Sequence, residues 1–250
     1  MKKTIWGFAA LAMLGASVSP ALAGCNDPPA PGVNWFNCDH SGADLAGADL
    51  ERALLGRSDL DGANFESANL RRADLTSTSA VEAIFRGANL SRTRLSSADW
   101  SRADLSEADL RDARAGRIRL TDANLEGADG SDLNLDSAEL GGIRLDRANL
   151  PNVSLRRSQL RGASAQSTEL TGADLNGADL EGADFREATL RQADLRDANL
   201  VDVDFRGADL GRADLRGADI SGARFDEADL GSTLWNDGRR CRPGSKGACD

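Results

Sequence analysis

The sequence is poor in the residues that build most enzyme active sites and most aromatic cores. It contains no Tyr and one His, and aromatic residues make up 4% of its 250 residues. So few aromatics exclude a core built on large rings, and a single His argues against histidine-based acid–base catalysis or a zinc site. Hydrophobic residues nevertheless make up 40% of the chain. Leu and Ala recur at regular spacing, which is not typical of a disordered chain.

Long apolar runs are also lacking, with one exception at the start of the chain. Lys2 and Lys3 precede an apolar run over residues 5–18, which is followed by Pro20 and an Ala-Leu-Ala motif at 21–23. This is the pattern of a secretory signal peptide, and a run of about 14 residues is too short to span a bilayer as a helix. We therefore predict a signal peptide over residues 1–23 and an exported protein, periplasmic or extracellular.

The same segment has a second interpretation. Leu22-Ala23-Gly24-Cys25 resembles the lipobox of bacterial lipoproteins, in which Cys25 would become the lipidated first residue. We favour simple export because Pro20 lies where an ordinary signal-peptidase site has its turn, and because Cys25 has an alternative partner. A membrane-anchored lipoprotein remains the alternative, and a membrane partner is expected only in that case.

The four cysteines lie near the two ends of the exported chain. Cys25 and Cys38 flank the segment before the repeats, and Cys241 and Cys249 lie in a short tail. Four cysteines permit three connectivities, of which local pairing at each end is the simplest. An oxidising compartment favours both bonds. Metal-ligand spacings of Cys and His are absent from the sequence, so we predict neither a metal site nor a cofactor.

A five-residue repeat fills most of the chain. The motif is A-(D/N)-L-x-G, and its central residue falls at every fifth position from Leu45 to Trp235 without insertion or deletion. Five residues advance a helix by about 500°, so the central row would wander around the axis. In a strand, an odd spacing would send successive centres to opposite faces. The chain must therefore turn once per repeat, which predicts a solenoid of short extended pieces.

The positions of the Phe centres indicate how many repeats make one coil. Every separation between them is a multiple of 20, so a coil of four repeats places all of them on one side, whereas a coil of three scatters them. These centres are Phe65, Phe85, Phe185, Phe205 and Phe225.

The motif resembles the pentapeptide-repeat family over about residues 33–235. This resemblance implies an all-β, right-handed quadrilateral β-helix with four five-residue repeats per coil and about ten coils. It also implies that the central residue and the residue two before it point inward. Such a rod would be about 45–50 Å long. Beside the signal peptide, we expect a disulfide-bounded cap with the first repeats over 24–40, the β-solenoid over 41–235, and a tail with a local disulfide over 236–250.

Departures from the motif at inward positions suggest an exchange of volume between neighbours. Gly130 is followed by the larger Leu133, and Ala115 by Ile118, so we expect compensating packing rather than a ligand cavity. The large centre Trp100 is also predicted to lie in the core.

Function must depend on the outward positions, where residues 20 apart become neighbours. Residues 171–230 contain 15 acidic and 7 basic residues. The predicted acidic columns are Asp174, Asp194 and Asp214 on one side, Asp184 and Asp204 on another, and Asp209 and Asp229 on a third.

The N-terminal half carries a row of arginines on one edge. Arginine forks suit carboxylate or phosphate partners, so this edge is a candidate anion-binding site. The alternative, which we favour, is that these arginines pair with nearby acids on a solvated face. The seven residues are Arg52, Arg71, Arg72, Arg92, Arg94, Arg111 and Arg114.

Nothing in the sequence points to catalysis. Asp belongs to the repeat, so paired carboxylates carry no information, and no nucleophile elbow or phosphate loop occurs. We expect a non-catalytic scaffold whose partner is an unknown protein or envelope component, with no direct nucleic-acid binding and an end-to-end homodimer left open. The alternative is an acidic, DNA-mimicking rod that binds DNA gyrase, as some members of the family do. An ice or mineral binder ranks last because it would need ordered Thr ladders.

Overall fold

The structure, a computed structural model, describes residues 24–250, so the predicted signal peptide over residues 1–23 lies outside the described residues. From residue 31 to residue 235 the backbone repeats one five-residue unit, with two turn residues followed by a single β-bridge residue at the fourth position. Parallel bridges join residues 20 apart, from Asn34–Leu54 to Asp214–Leu234. Within residues 24–250 there is no helix, and no strand extends beyond one bridge residue.

The bridges divide the segments into four stacks. Stack a comprises residues 31–35, 51–55 and every twentieth residue onward to 231–235. Stack b runs from 36–40 to 216–220, stack c from 41–45 to 221–225, and stack d from 46–50 to 226–230. The chain therefore passes through a, b, c and d in turn and returns to a after 20 residues. The predicted solenoid is confirmed.

Backbone hydrogen bonds tie each segment to the segments before and after it in its stack. The N–H of Leu75 donates to the carbonyl of Arg94 at 2.8 Å, and the N–H of Asp74 donates to the carbonyl of Ala53 at 2.9 Å. A third bond, from the N–H of Ala73 to the carbonyl of Leu70 at 2.9 Å, closes the turn. Because this set recurs with every repeat, the backbone polar groups inside the rod are satisfied without long strands.

The second turn residue adopts a left-handed conformation, which the sequence analysis did not anticipate. Gly62 has a φ of 62°, and Arg72, at the same place in its repeat, has a φ of 60°. This conformation is costly for residues with a Cβ, by roughly 1–2 kcal/mol. The requirement explains why Gly is the fifth residue of the motif. The N–H of Arg72 also donates to the carbonyl of Ser91 at 2.9 Å, which helps to hold the turn.

The inward positions form one continuous apolar core along the rod. Centres such as Leu75 and Leu175 are fully buried, and each contributes about 1.5–3 kcal/mol by leaving water. The Phe centres all lie in stack c. Phe65 stacks on Phe85 with ring centroids 4.9 Å apart, and Phe205 stacks on Phe225 at 5.3 Å.

Trp100 lies in the core as predicted, and its surroundings explain how it fits. Its indole stacks on Phe85 at a centroid distance of 4.2 Å and donates a hydrogen bond to Thr78 Oγ1 at 3.1 Å. Both partners belong to the preceding coil, where they flank the small centre Ala80. The indole therefore takes up space that a large centre at position 80 would need.

The structure also shows the predicted compensation at Gly130, where larger neighbouring side chains occupy the space that a large centre would fill. A Cβ placed on Gly130 would come within 2.6 Å of Leu150 and 3.0 Å of Leu133, so these two leucines fill the site. Near Ala115 the filling is less complete, because a void of about 10 Å³ remains beside Ile118. It is apolar and too small for a ligand.

A disulfide-linked cap covers part of each end. Cys25 is bonded to Cys38 and Cys241 to Cys249, with Cα–Cα distances of 5.4 and 4.8 Å, and no free cysteine occurs in residues 24–250. Of the three connectivities, the structure has the local one. The Sγ of Cys25 is consumed by this bond, so lipidation of Cys25 would require the bond to be absent. The described part of the chain contains no apolar helix of the length that a bilayer crossing requires.

Candidate interaction surfaces

The predicted arginine edge lies along stack a and the corner that leads into it. Arg94 and Arg114 are parallel-bridge neighbours. Arg52, Arg72 and Arg92 each occupy the left-handed position of the corner turn, with φ values of 59°, 60° and 60°. The structure therefore brings the row together on one edge.

Most of these arginines have carboxylate partners, however. Glu51 is shared by Arg71 at 3.1 Å and Arg52 at 3.7 Å. The other ion pairs are Arg92–Asp112 at 3.1 Å, Arg94–Asp74 at 2.6 Å and Arg111–Asp109 at 2.6 Å. Among residues 24–250, only two members of the row have no carboxylate within 4 Å, namely Arg72 and Arg114. These two lie in different coils, so the edge offers separate cations rather than a cluster.

The predicted acidic columns form runs of bridge neighbours. Asp174, Asp194 and Asp214 follow one another in stack a. Asp184 and Asp204 are neighbours in stack c, and Asp209 and Asp229 are neighbours in stack d. The carboxylates thus lie on three different sides of the rod.

Several of these carboxylates form an ion pair with the arginine that follows two residues later in the sequence. Arg196 reaches Asp194 at 2.5 Å, and Arg216 reaches Asp214 at 2.7 Å. In each pair Nε and an Nη bond the same carboxylate, while the backbone N–H of the arginine also donates to it at 3.1 Å. The same fork joins Arg186 to Asp184 and Arg206 to Asp204.

These forks shift the titration of the carboxyl groups. Hydrogen bonds from the arginine side chains hold the pKa of Asp194, Asp204 and Asp214 below its usual value, against the opposing effect of partial burial. Four carboxylates of the columns in stacks a and c are therefore neutralised by neighbouring arginines, whereas the column of Asp209 and Asp229 in stack d has no such fork in the described part of the chain. The sequence analysis missed the forks, although the recurring Asp-x-Arg spacing in these repeats was a visible signal.

One shallow polar pocket of about 230 Å³ lies on the corner between stacks a and b. Three aspartates and three arginines line it, so its charges balance, and two of the arginines already pair with acids of the pocket. The lining includes Asp136, Arg156, Arg157, Asp174, Asp194 and Arg196. No sequence signal pointed to this pocket.

Side chains of the metal-ligating types are spread along residues 24–250. Among residues 24–250, no three His, Cys, Asp or Glu side chains are placed to hold a metal ion. His40 lies at the N-terminal end, with its ring 4.1 Å from that of Trp35. It belongs to the first segment of stack b, far along the chain from the polar pocket.

A small apolar patch lies at the N-terminal end of stack a. Phe36 and Leu54 are 46% and 43% exposed. The Phe36 ring lies over Gly56, where an added Cβ would come within 3.2 Å of it, and Arg57 lies 5.7 Å from the ring centroid. This patch was not foreseen from the sequence.

Comparison with known families gives a match along most of the chain. The family model described as pentapeptide repeats matches in eight copies, which overlap and together cover residues 38–76 and 83–231. No curated protein matches the sequence significantly.

Solved structures with the same repeat are also similar. HetL, a pentapeptide repeat protein involved in heterocyst differentiation regulation from the cyanobacterium Nostoc, is 32% identical, with a TM-score of 0.71 over 84% of this chain and 92% of that chain. A pentapeptide repeat protein from the Arabidopsis thaliana thylakoid lumen is 33% identical over 40% of this chain and 69% of its own, with a TM-score of 0.39. QnrB1, a plasmid-mediated fluoroquinolone resistance protein, is 26% identical over 74% of this chain and 91% of its own, with a TM-score of 0.37.

Proposed function

This chain belongs to the pentapeptide-repeat family, and from that premise we propose that it is a non-catalytic, exported β-solenoid that serves as a structural or protein-interaction scaffold in the periplasm or at the cell surface. The observation that carries the proposal is the regular outer surface of the rod. The side chains at the inward positions of the rod pack in the core, so binding groups must come from the outward positions of each repeat.

The coil itself is inferred to be a right-handed quadrilateral. Four stacks, visited in the order a, b, c and d, support a coil with four sides, and residues 31–235 then make about ten coils. We divide the chain into a signal peptide over 1–23, a disulfide-bounded cap with the first repeats over 24–40, the repeat solenoid over 41–235 and a tail over 236–250. Solenoids of this kind present extended faces to their partners.

Export is proposed from the leader pattern together with the cysteines. Structural disulfides form and persist in oxidising compartments and are rare in the cytoplasm. All four cysteines are paired at the ends of the rod, where they fasten the caps. The Cys25–Cys38 bond favours a freely exported protein over a lipoprotein anchored through Cys25.

The gyrase-binding alternative receives less support. A DNA mimic needs a continuous negative surface, but forks from Arg186, Arg196, Arg206 and Arg216 interrupt the acidic columns. Export would also separate the protein from gyrase. Purified mature protein is therefore expected to leave gyrase supercoiling unchanged, and inhibition or protection of gyrase would revive this alternative.

Export is tested by expressing the full chain in a bacterial host, fractionating the cells and measuring the intact mass with and without reductant. We expect a periplasmic or secreted protein that begins near Gly24 and gains the mass of four hydrogen atoms on reduction. A cytoplasmic protein that retains residues 1–23 and has four free thiols would refute export. A membrane-bound protein with an acylated Cys25 would replace it with the lipoprotein alternative.

The scaffold role is tested by photo-crosslinking in the native host. A photoreactive amino acid replaces Arg72 or Arg114, the two members of the arginine row without a carboxylate partner, and Arg144 on stack c serves as the control on another side of the rod. A scaffold that uses one side should give the same crosslinked partner from both stack a positions and none from the control. If photoreactive residues placed on all four stacks gave no crosslinked partner, this result would count against the proposal.

A further inference from the structure

At each end of the rod, a cap covers two of the four stacks and leaves the other two uncovered. At the N-terminal end, the cap residues 24–30 lie over the first segments of stacks a and b, and the Cys25–Cys38 bond ties the cap to stack b. Gly24 N–H donates to the carbonyl of Asn34 at 3.0 Å, and Trp35 Nε1 donates to the carbonyl of Asp27 at 3.1 Å. The first segments of stacks c and d, residues 41–50, have no segment above them among the described residues. We call residues 41–50 the N-terminal step.

At the C-terminal end, the tail covers a different pair of stacks. Residues 236–250 fold back over stacks d and a through antiparallel bridges Asp229–Lys246 and Leu234–Arg240. The tail reaches stack b only at its first residues, where the Gly217 N–H donates to the carbonyl of Asn236 at 3.0 Å. Residues 218–225, in the last segments of stacks b and c, are left uncovered by the described chain, and we call them the C-terminal step.

Both steps expose interior groups that are buried everywhere between them. The apolar residues that border the core but remain only partly buried all belong to the steps, namely Ala43, Ala48, Ile220 and Ala223.

The backbone is also unpaired at these places. The N–H groups of Leu200 and Phe205 donate to carbonyls 19 residues later at 2.8 Å, whereas those of Ile220 and Phe225 make no backbone hydrogen bond within residues 24–250. At the other end, Asn64 N–H donates to the carbonyl of Ala43 at 2.9 Å, but Asp44 N–H makes no such bond in the described chain. Open strand edges with apolar neighbours are sites for pairing with another chain.

Charge indicates which chain fits. Residues 24–50 contain four aspartates and neither Lys nor Arg. The tail contains Arg239, Arg240, Arg242 and Lys246 against Asp237 and Asp250, and all four cations are exposed. An acidic N-terminal end and a basic C-terminal cap attract each other, whereas like ends repel.

We propose that the protein associates head to tail with further copies of itself, the C-terminal cap of one copy filling the N-terminal step of the next. With the four-sided coil proposed above, a quarter-turn between copies places the tail, over stacks d and a, on stacks c and d of the neighbour. The same turn places the neighbour's N-terminal cap, over a and b, on the open stacks b and c. Such a contact is heterologous, so it continues into a filament unless rotation closes it.

The test uses purified mature protein with intact disulfides, so it does not depend on export or on any scaffold partner. Sedimentation velocity and light scattering are recorded over a concentration series at low salt and at about 1 M salt, where charges are screened beyond roughly 3 Å. We expect the weight-average mass to rise with concentration at low salt and to return to that of one chain at high salt. A mass of one chain throughout the low-salt series would overturn the proposal.

Two sets of variants probe the contact itself. Arg242→Glu with Lys246→Glu reverses the cap, and Asp44→Lys with Asp49→Lys reverses the step. Each double variant should weaken self-association at least about tenfold, and mixing the two should restore association between them. Asp132→Lys, on an exposed turn in the middle of the rod, is the control and should associate like the unaltered protein. Equal association by all of these variants, each shown to be folded by circular dichroism, would contradict the contact.

A zero-length amine-to-carboxyl crosslinker gives an independent readout of polarity. Lys246 is the only lysine in residues 24–250. It lies at the opposite end of the rod from Asp44 and Asp49, so a crosslinked peptide joining Lys246 to either aspartate must come from two copies. We expect this peptide at low salt and its loss at high salt. A dimer that stops growing and lacks this peptide would indicate a two-fold pair instead and would overturn the head-to-tail arrangement.

Discussion

Trp100 and Ala80 both replace the Leu that the motif has at the centre of a repeat. Because they lie next to each other in neighbouring coils, we expect the two positions to be coupled energetically. The indole of Trp100 is fully buried and lies against Phe85 and Thr78, which flank Ala80 in the preceding coil. Restoring Leu at only one of the two positions should destabilise the rod. Trp100→Leu leaves empty space, and Ala80→Leu adds atoms where the indole already lies.

The magnitudes follow from volume and hydrogen bonding. Replacing Trp by Leu removes about 60 Å³, which at about 24 cal/mol per Å³ of cavity is roughly 1.5 kcal/mol, with a further transfer cost for the lost apolar atoms. Loss of the hydrogen bond to Thr78 adds about 1 kcal/mol. We therefore expect Trp100→Leu to cost about 3 kcal/mol. Ala80→Leu should cost about 1–3 kcal/mol by overpacking.

In the double variant, the cavity left by Trp100→Leu and the overpacking caused by Ala80→Leu should partly compensate each other, because the added Leu fills the space that the indole leaves. We expect Ala80→Leu with Trp100→Leu to be destabilised by less than about 2 kcal/mol, so that the coupling energy is at least about 2 kcal/mol. Urea unfolding followed by far-ultraviolet circular dichroism measures all four proteins. A double variant whose loss equals the sum of the single losses would refute the reasoning.

Three further predictions concern the core, the caps and the charged surface. Gly130→Leu restores the motif but should lower the unfolding free energy by about 1–3 kcal/mol, because neighbouring leucines fill its site; a variant as stable as the parent in urea would contradict this packing. Replacing both Cys241 and Cys249 by Ser should lower the free energy of unfolding by about 2.5 kcal/mol, the value that the chain-entropy model gives for a sequence separation of 8. An unchanged melting temperature would count against a stabilising role of this disulfide. The pKa values of Asp204 and Asp214 are lowered on folding, so stability should be constant above about pH 5 and fall below about pH 4. Urea titrations of a variant with both residues changed to Asn should show a smaller acid loss, and an equal loss would exclude these two groups as its source.

The fold was largely predictable because one physical constraint dominates the sequence. A central apolar residue every fifth position fits neither helix nor strand, and the spacing of Phe65, Phe85 and Phe185 by multiples of 20 matches the register of the bridges. The local disulfide pairing was likewise the simplest of three choices. These features depend on regularities that every repeat shares.

The candidate surfaces were less predictable because they depend on single side chains and on the turn. The placement of Arg72 and Arg92 on one edge followed from the register, but their different pairing did not. The fork of Arg196 on Asp194 depends on how two individual side chains extend on either side of the centre Leu195, which the periodicity of the repeat does not fix. The polar pocket arises from the way several long side chains extend from one corner, which no sequence period encodes.

The constant 20-residue register also governs how such a chain can change length. Deleting or duplicating 20 residues shortens or lengthens the rod by one coil and returns every following residue to its own stack. Deleting five residues instead moves every later side chain to the preceding stack, so the acidic columns, the Phe row and the C-terminal cap would all shift by one side relative to the N-terminal cap. Gene rearrangements within the repeats should therefore be tolerated most readily in units of four repeats. Shorter or longer versions of this rod could then arise with both ends, and any contact between them, unchanged.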